Sequence, residues 1–211
     1  MKKLFLLILF ALGALNAAAE MSPEVLAISE SWAEIKYQMP ADQRVEALEM
    51  LSEKAETLVK DNPGAAEPIV WQAIIVSTLA GEKGGLGALS LVKEAKKLLE
   101  RAEAFDPDVL DGSVYTSLGS LYYQVPGWPI GFGSDEKAKS YLKKALAVNP
   151  NGIDPNYFYG DFLLQEGEYN EAAEVLKRAL AAPARESRPI ADAGRRAEIE
   201  EALKKVKLAM Q

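Results

Sequence analysis

Residues 154–183, DPNYFYGDFLLQEGEYNEAAEVLKRALAAP, constrain the fold of this chain more than any other stretch. Read at helical spacing, they form two amphipathic segments split by Glu166-Gly167-Glu168, where a helix should end and reverse. Tyr159, Phe162 and Leu163 share one face of the first segment, and Ala172, Val175, Leu176, Ala179 and Leu180 share one face of the second. Gly160 on the first segment, with Ala172 and Ala179 on the second, are small where two helices would touch most closely. A single helical hairpin has almost no core, so it must stack against others of its kind.

The same pattern occurs upstream. Tyr115-x-x-Leu118-Gly119-x-x-Tyr122 is followed by Ala138-x-x-x-Leu142-x-x-Ala145 and Pro150, and Trp71-x-x-Ile74-Ile75-x-x-Thr78 by Ala95-x-x-x-Leu99-x-x-Ala102 and Pro107. These runs resemble the tetratricopeptide repeat (TPR), whose pattern is W-x-x-L-G-x-x-Y, then A-x-x-x-F, then P. Tyr115 stands where the family has Trp, and Ile75 where it has Gly. The second-helix markers Ala138 and Ala172 lie 34 residues apart, the family's own period. The first-helix markers Gly119 and Gly160 lie 41 apart, so 7 surplus residues are expected inside the second unit's hairpin, at 125–134. A similar surplus around 81–87 predicts an insertion in the first unit.

The expected fold is all-α, a TPR-like solenoid of antiparallel helix pairs with a C-terminal capping helix. An N-terminal pair covers 22–62, repeat units cover 68–107, 112–150 and 153–183, and the capping helix covers 189–210. Ser22-Pro23-Glu24 is a helix start and Asn62-Pro63-Gly64 a stop. In the last helix Ile199, Leu203 and Val206 point inward, and Glu200–Lys204 and Glu201–Lys205 have the favourable i,i+4 order. Residues 1–19 fall outside this domain. Lys2 and Lys3 precede the apolar run Leu4–Leu15, and Ala17-x-Ala19 before Glu20 is a small-residue cleavage site. The run is too short to span a bilayer, where roughly 20 apolar residues are needed. A cleaved secretory signal is the reading, with a periplasmic or secreted product and no stable membrane insertion after cleavage.

Composition removes several function classes. Without Lys2 and Lys3 there are 22 basic residues against 31 acidic, a poor match to nucleic acid. There is no cysteine and no histidine. That rules out disulfides, thiolate metal sites and Ser-His or Cys-His nucleophiles, and it removes the side chain best suited to proton transfer at neutral pH. Gly84-Gly85-Leu86-Gly87 lacks the preceding strand that a phosphate cradle requires. Asp106-Pro-Asp108-Val-Leu-Asp111-Gly112 has the wrong acidic spacing for a calcium loop, and its aspartates are expected to cap the next helix. The expectation is a chain that is not an enzyme and carries no cofactor or metal.

The insertion at 125–134 carries Trp128, Ile130 and Phe132 stiffened by Pro126 and Pro129. Trp128 either folds back into the core or joins Phe132 in a recognition surface. In the TPR family, ligands usually lie in the concave groove lined by the first helix of each unit. The resemblance then places Gln72 and Val76 of the first unit in the groove, with Thr116, Ser120 and Tyr123 of the second and Tyr157, Asp161 and Gln165 of the third. Such a set suits a peptide segment or small ligand better than an ionic clamp. The C-terminal helix could instead fill the groove from within. Arg185, Arg188, Arg195 and Arg196 form one basic cluster, with Asp161, Asp192 and Glu186 as candidate partners or an acidic ligand outside the chain.

The Pro/Gly-rich insertion before the Lys-Ala helix start, residues 126–138, also resembles the TPR accessory component of TRAP-type solute transporters. That family is typically lipid-anchored, whereas this chain has no cysteine to acylate. The resemblance implies a non-catalytic scaffold that binds a protein or peptide in the cell envelope, with a second copy of the chain as a further candidate partner. The competing class is a ligand carrier or enzyme on the same array, with a pocket around Tyr123, Tyr157 and Asp161. A closed, polar pocket would favour that class, and an open groove would favour protein binding.

Overall fold

The structure, a computed structural model, describes residues 21–211, so the proposed signal segment and its expected junction at Ala19–Glu20 lie outside the described residues. Nine helices make up the described chain: α1 Pro23–Tyr37, α2 Ala41–Asp61, α3 Ala66–Lys83, α4 Gly85–Phe105, α5 Val109–Gln124, α6 Asp135–Val148, α7 Ile153–Gln165, α8 Tyr169–Leu180 and α9 Pro189–Ala209. No strand occurs among the described residues, only an isolated bridge between Gly127 and Gly133. None of the described helices is long and apolar enough to cross a membrane. The all-α, TPR-like solenoid is the observed architecture.

Each start and stop has a local cause. Ser22 caps α1, its Oγ accepting from the Val25 amide at 3.4 Å, and Pro23 sits at the first helical position. Helix α2 buries Leu48, Leu51, Ala55 and Val59, while Val45 and Leu58 beside them are only half-buried. In α9 Lys204 pairs with Glu201 at 3.8 Å rather than with Glu200, on the exposed side where such pairs contribute little.

The expected insertion at 81–87 is absent. Gly84 alone separates α3 from α4, with φ 60°, a left-handed value that glycine adopts without strain. The surplus residues instead lengthen the helices: α3 has 18 residues and α4 has 21, against 13 and 12 in α7 and α8. Asp106 accepts from the Asp108 amide at 3.1 Å, and Leu110, Asp111 and Gly112 all take left-handed φ. The aspartates therefore build a turn into α5 rather than a side-chain cap on it.

Gly119 and Gly160 set the hairpin geometry. A Cβ on Gly119 would lie 2.6 Å from Leu142 Cγ, and one on Gly160 would lie 2.7 Å from Leu176 Cγ. In each unit a leucine of the outer helix packs directly on inner-helix backbone. Ile75, at the corresponding place in the first unit, turns toward the cluster formed with α1 and α2, while Ala73 and Val76 share the cluster of Leu99. Adding one methyl in Gly160→Ala should cost about 1–3 kcal/mol through overpacking, read as a lower melting temperature by circular dichroism.

Candidate functional site

The odd-numbered helices form a closed ring. Helix α1 packs on α3, α3 on α5, α5 on α7, α7 on α9, and α9 returns to α1. The even-numbered helices lie outside it. The closing seam is made by Tyr37, whose ring occupies the space a Cβ on Gly194 would need, and whose hydroxyl donates to Glu198 at 3.2 Å. Helix α9 thus closes the groove rather than filling it, and a cavity of ≈ 850 Å³ remains inside. Exposed Gly81 and Gln124 lie at one end of it and exposed Asp111, Asn151 and Ser187 at the other.

At that second end the Arg cluster meets the start of α7. Arg195 Nε lies 2.8 Å from Asp154 Oδ1, and its Nη1 lies 2.6 Å from Glu198 Oε2. Its guanidinium covers the rings of Tyr157 at 4.3 Å and Phe158 at 4.7 Å. Arg185 bridges Asp154 at 2.7 Å and Asp192 at 2.6 Å. Burial alone would raise the Asp154 carboxyl, but Arg185, Arg195 and Arg188 outweigh it and hold it well below the usual carboxylate range. Burial pushes the Tyr157 hydroxyl up to about 12. The anticipated partner Asp192 is used, whereas Asp161 and Glu186 are replaced by Asp154 and Glu198. Arg196 turns away to cap α8, donating to the carbonyls of Leu180 and Ala182.

Of the residues expected to bind, Thr116, Ser120 and Tyr157 line the cavity. Gln72 is buried in α3. Tyr123, Asp161 and Gln165 form a separate network: the Tyr123 hydroxyl donates to Asp161 at 2.7 Å, and Gln165 Nε2 donates to the same carboxylate at 3.2 Å. Tyr157 therefore does not share one pocket with Tyr123 and Asp161. The loop 125–134 splits its aromatics. Phe132 packs edge-on against Tyr122 at 5.6 Å, while Trp128 is 90% exposed and does not enter the core. Trp71, Phe158 and Arg188 face the cavity as well; the first had been legible only as a repeat marker.

These features define a helical-repeat protein whose inner helices enclose a pocket. Residues 136–196 match the family model for the tetratricopeptide repeat. The solved structure of TTC0263, a thermophilic TPR protein of Thermus thermophilus, is similar at 26% identity and a TM-score of 0.57, over 86% of this chain and 82% of that one. The MamA AMB-1 structure aligns over 88% of this chain and 97% of its own, at 21% identity and a TM-score of 0.45. No curated protein matches the chain. Residues 136–196 carry the tetratricopeptide repeat and the fold is TPR-like over most of the chain; proteins with this fold generally act as scaffolds for protein partners.

Asp154→Asn should lower stability by about 2 kcal/mol, because two guanidiniums lose their shared carboxylate in a half-buried setting. The Asp154 pKa is depressed on folding, so its contribution is present above the unfolded value of about 4 and is lost as pH falls below it. Melting between pH 7 and 3 should therefore show a shallower acid loss in Asp154→Asn than in the wild type.

Proposed function

We propose that this TPR-like protein is a non-catalytic scaffold exported to the cell envelope, where it docks a protein partner through the loop at 125–134. The observation that carries the reading is an exposed tryptophan on a tied backbone. Trp128 and Ile130 are 90% and 62% exposed at the loop tip. Beneath them the Gly133 amide donates to the Pro126 carbonyl at 3.0 Å, and the Ser134 amide to the Tyr122 carbonyl at 2.8 Å. Phe132 anchors the loop base on Tyr122. Large rings held ready in this way lose little entropy on binding, which is the usual character of an interface hot spot.

Ring closure supports docking on the outside, since a folded partner cannot enter a cavity of ≈ 850 Å³. Export rests on the signal-like layout of Lys2, Lys3, Leu4–Leu15 and Ala17-x-Ala19. The placement of the Pro/Gly-rich loop before α6 supports the finer reading, an accessory of a solute-transport system. The cavity between the inner helices, lined by both apolar and polar groups, favours a second activity, small-ligand binding, in the same molecule.

The test is capture from envelope extract of the source cells, with residues 20–211 as bait and crosslinking before mass spectrometry. One partner at fixed stoichiometry should be recovered, and Trp128→Ala should weaken it by about 2 kcal/mol, roughly 30-fold, with no change in melting temperature. Equal capture by Trp128→Ala and wild type would sink the loop as the docking element.

A further inference from the structure

We propose that the ring cavity binds a small organic anion with an apolar body, its acid group held by Arg188 and its body against the partly exposed Ile74 and Leu110 of the wall. Charge assignment leads to Arg188. Arg185 and Arg195 are each satisfied by two carboxylates, Asp154 with Asp192 and Asp154 with Glu198. Arg188 lines the same cavity, yet among the described residues its guanidinium has no ion pair and no hydrogen bond. Its Nε is buried without a partner, so protein closes off that side and the terminal nitrogens are left for a ligand. Burial lowers its pKa to about 10, opposed by the nearby Asp154 and Asp192 carboxylates and assisted by Arg185 and Arg195, so it still carries its charge at neutral pH. A half-buried cation with no direct ion-pair partner is costly, and an incoming anion would relieve it.

The surroundings fix the rest of the ligand class. The Arg188 guanidinium stands 5.0 Å from the Trp71 ring, which is buried beneath it and holds it in place. Arg188 is also the residue before α9 and shares the cavity wall with Ile153 and Asp154 at the start of α7, whose N-terminal dipole favours negative charge at this end. Deeper in, the Thr78 oxygen already accepts from Trp32 Nε1 at 2.9 Å, but Ser77 and Ser120 give their hydroxyl protons to helix carbonyls at 2.7 and 3.0 Å. Their oxygens remain acceptors, suited to an N–H or O–H at the far end of the ligand. The carboxylates on the wall do not compete strongly for Arg188: Asp154 and Glu198 are paired with arginine, Glu82 lies 3.5 Å from Arg44, and Asp111 is exposed at the rim. A volume of ≈ 850 Å³ is ample for a bicyclic molecule.

Three probes share one body and differ in charge: indole-3-acetate, indole-3-acetamide and tryptamine. Calorimetric titration of the purified protein should show binding of the acetate, the amide weaker by about 10- to 100-fold, and tryptamine weakest. Arg188→Gln should erase the preference for the acetate while leaving the melting temperature unchanged or higher, and Arg188→Lys should keep it. Equal binding of all three probes, no binding at millimolar concentration, or an unchanged preference in Arg188→Gln would each overturn the proposal. Partner capture through Trp128 is read independently, so either reading can fail without the other.

Discussion

The seam between α1 and α9 decides what kind of molecule this array becomes. Without it, stacked helix pairs expose a concave face; with it, that face becomes the wall of a chamber. Helices packed ~10 Å apart in a ring of five have their axes on a circle of radius about 8.5 Å, and side chains reach about 5–6 Å inward. A bore of roughly 3 Å radius follows from the same dimensions. Small residues widen it, and α3 and α5 contribute Ser77, Gly81, Ser113, Ser117 and Ser120 to the wall. The chamber is thus a consequence of helix number and side-chain size, and it lasts only while Tyr37 can lie flat on Gly194.

The hairpins were legible because their cause is local. Gly160 sits at a close approach as its small size predicted, although Leu176, between the expected Ala172 and Ala179, is what meets it, and Gly119 meets Leu142 in the same way. The surplus at 125–134 was legible for the same reason, since glycine and proline halt both flanking helices. The surplus near 81–87 was misplaced because a repeat period counts residues without saying whether they loop out or extend a helix. In α3 and α4 extension wins: each added residue gains a helical hydrogen bond, and only Gly84 is needed to reverse the chain.

The cavity was legible only in part. Thr116, Ser120 and Tyr157 followed from family register, but the register says nothing about a helix returning to the start of the array. Tyr37 and Glu198 are 161 positions apart. Neither carries a local mark of its partner. The arginine cluster was visible as charge, yet nothing in the sequence marked Asp154 as its partner, so the choice among arginines was hidden. Trp128 stayed ambiguous for a related reason. A Pro-flanked loop fixes its own backbone but not which of its rings turns inward, and Tyr122 selects Phe132.

The ion pairs join the seam to the pocket. Asp154 at the start of α7 holds Arg185 from the 183–188 segment and Arg195 from α9, and Arg195 in turn holds Glu198, which accepts the Tyr37 hydroxyl. One carboxylate therefore fixes both the α9 face that meets α1 and the segment that carries Arg188. The Arg185 amide, donating to Asp192 at 2.8 Å, folds that segment back over the first turn of α9. Each partly buried ion pair adds little net stability, because desolvation offsets most of the attraction. Their larger effect is positional. By saturating two of the three arginines at this end, the carboxylates leave one cation over Trp71 in a fixed place, so the residues that lock the ring also determine where its unpaired charge lies.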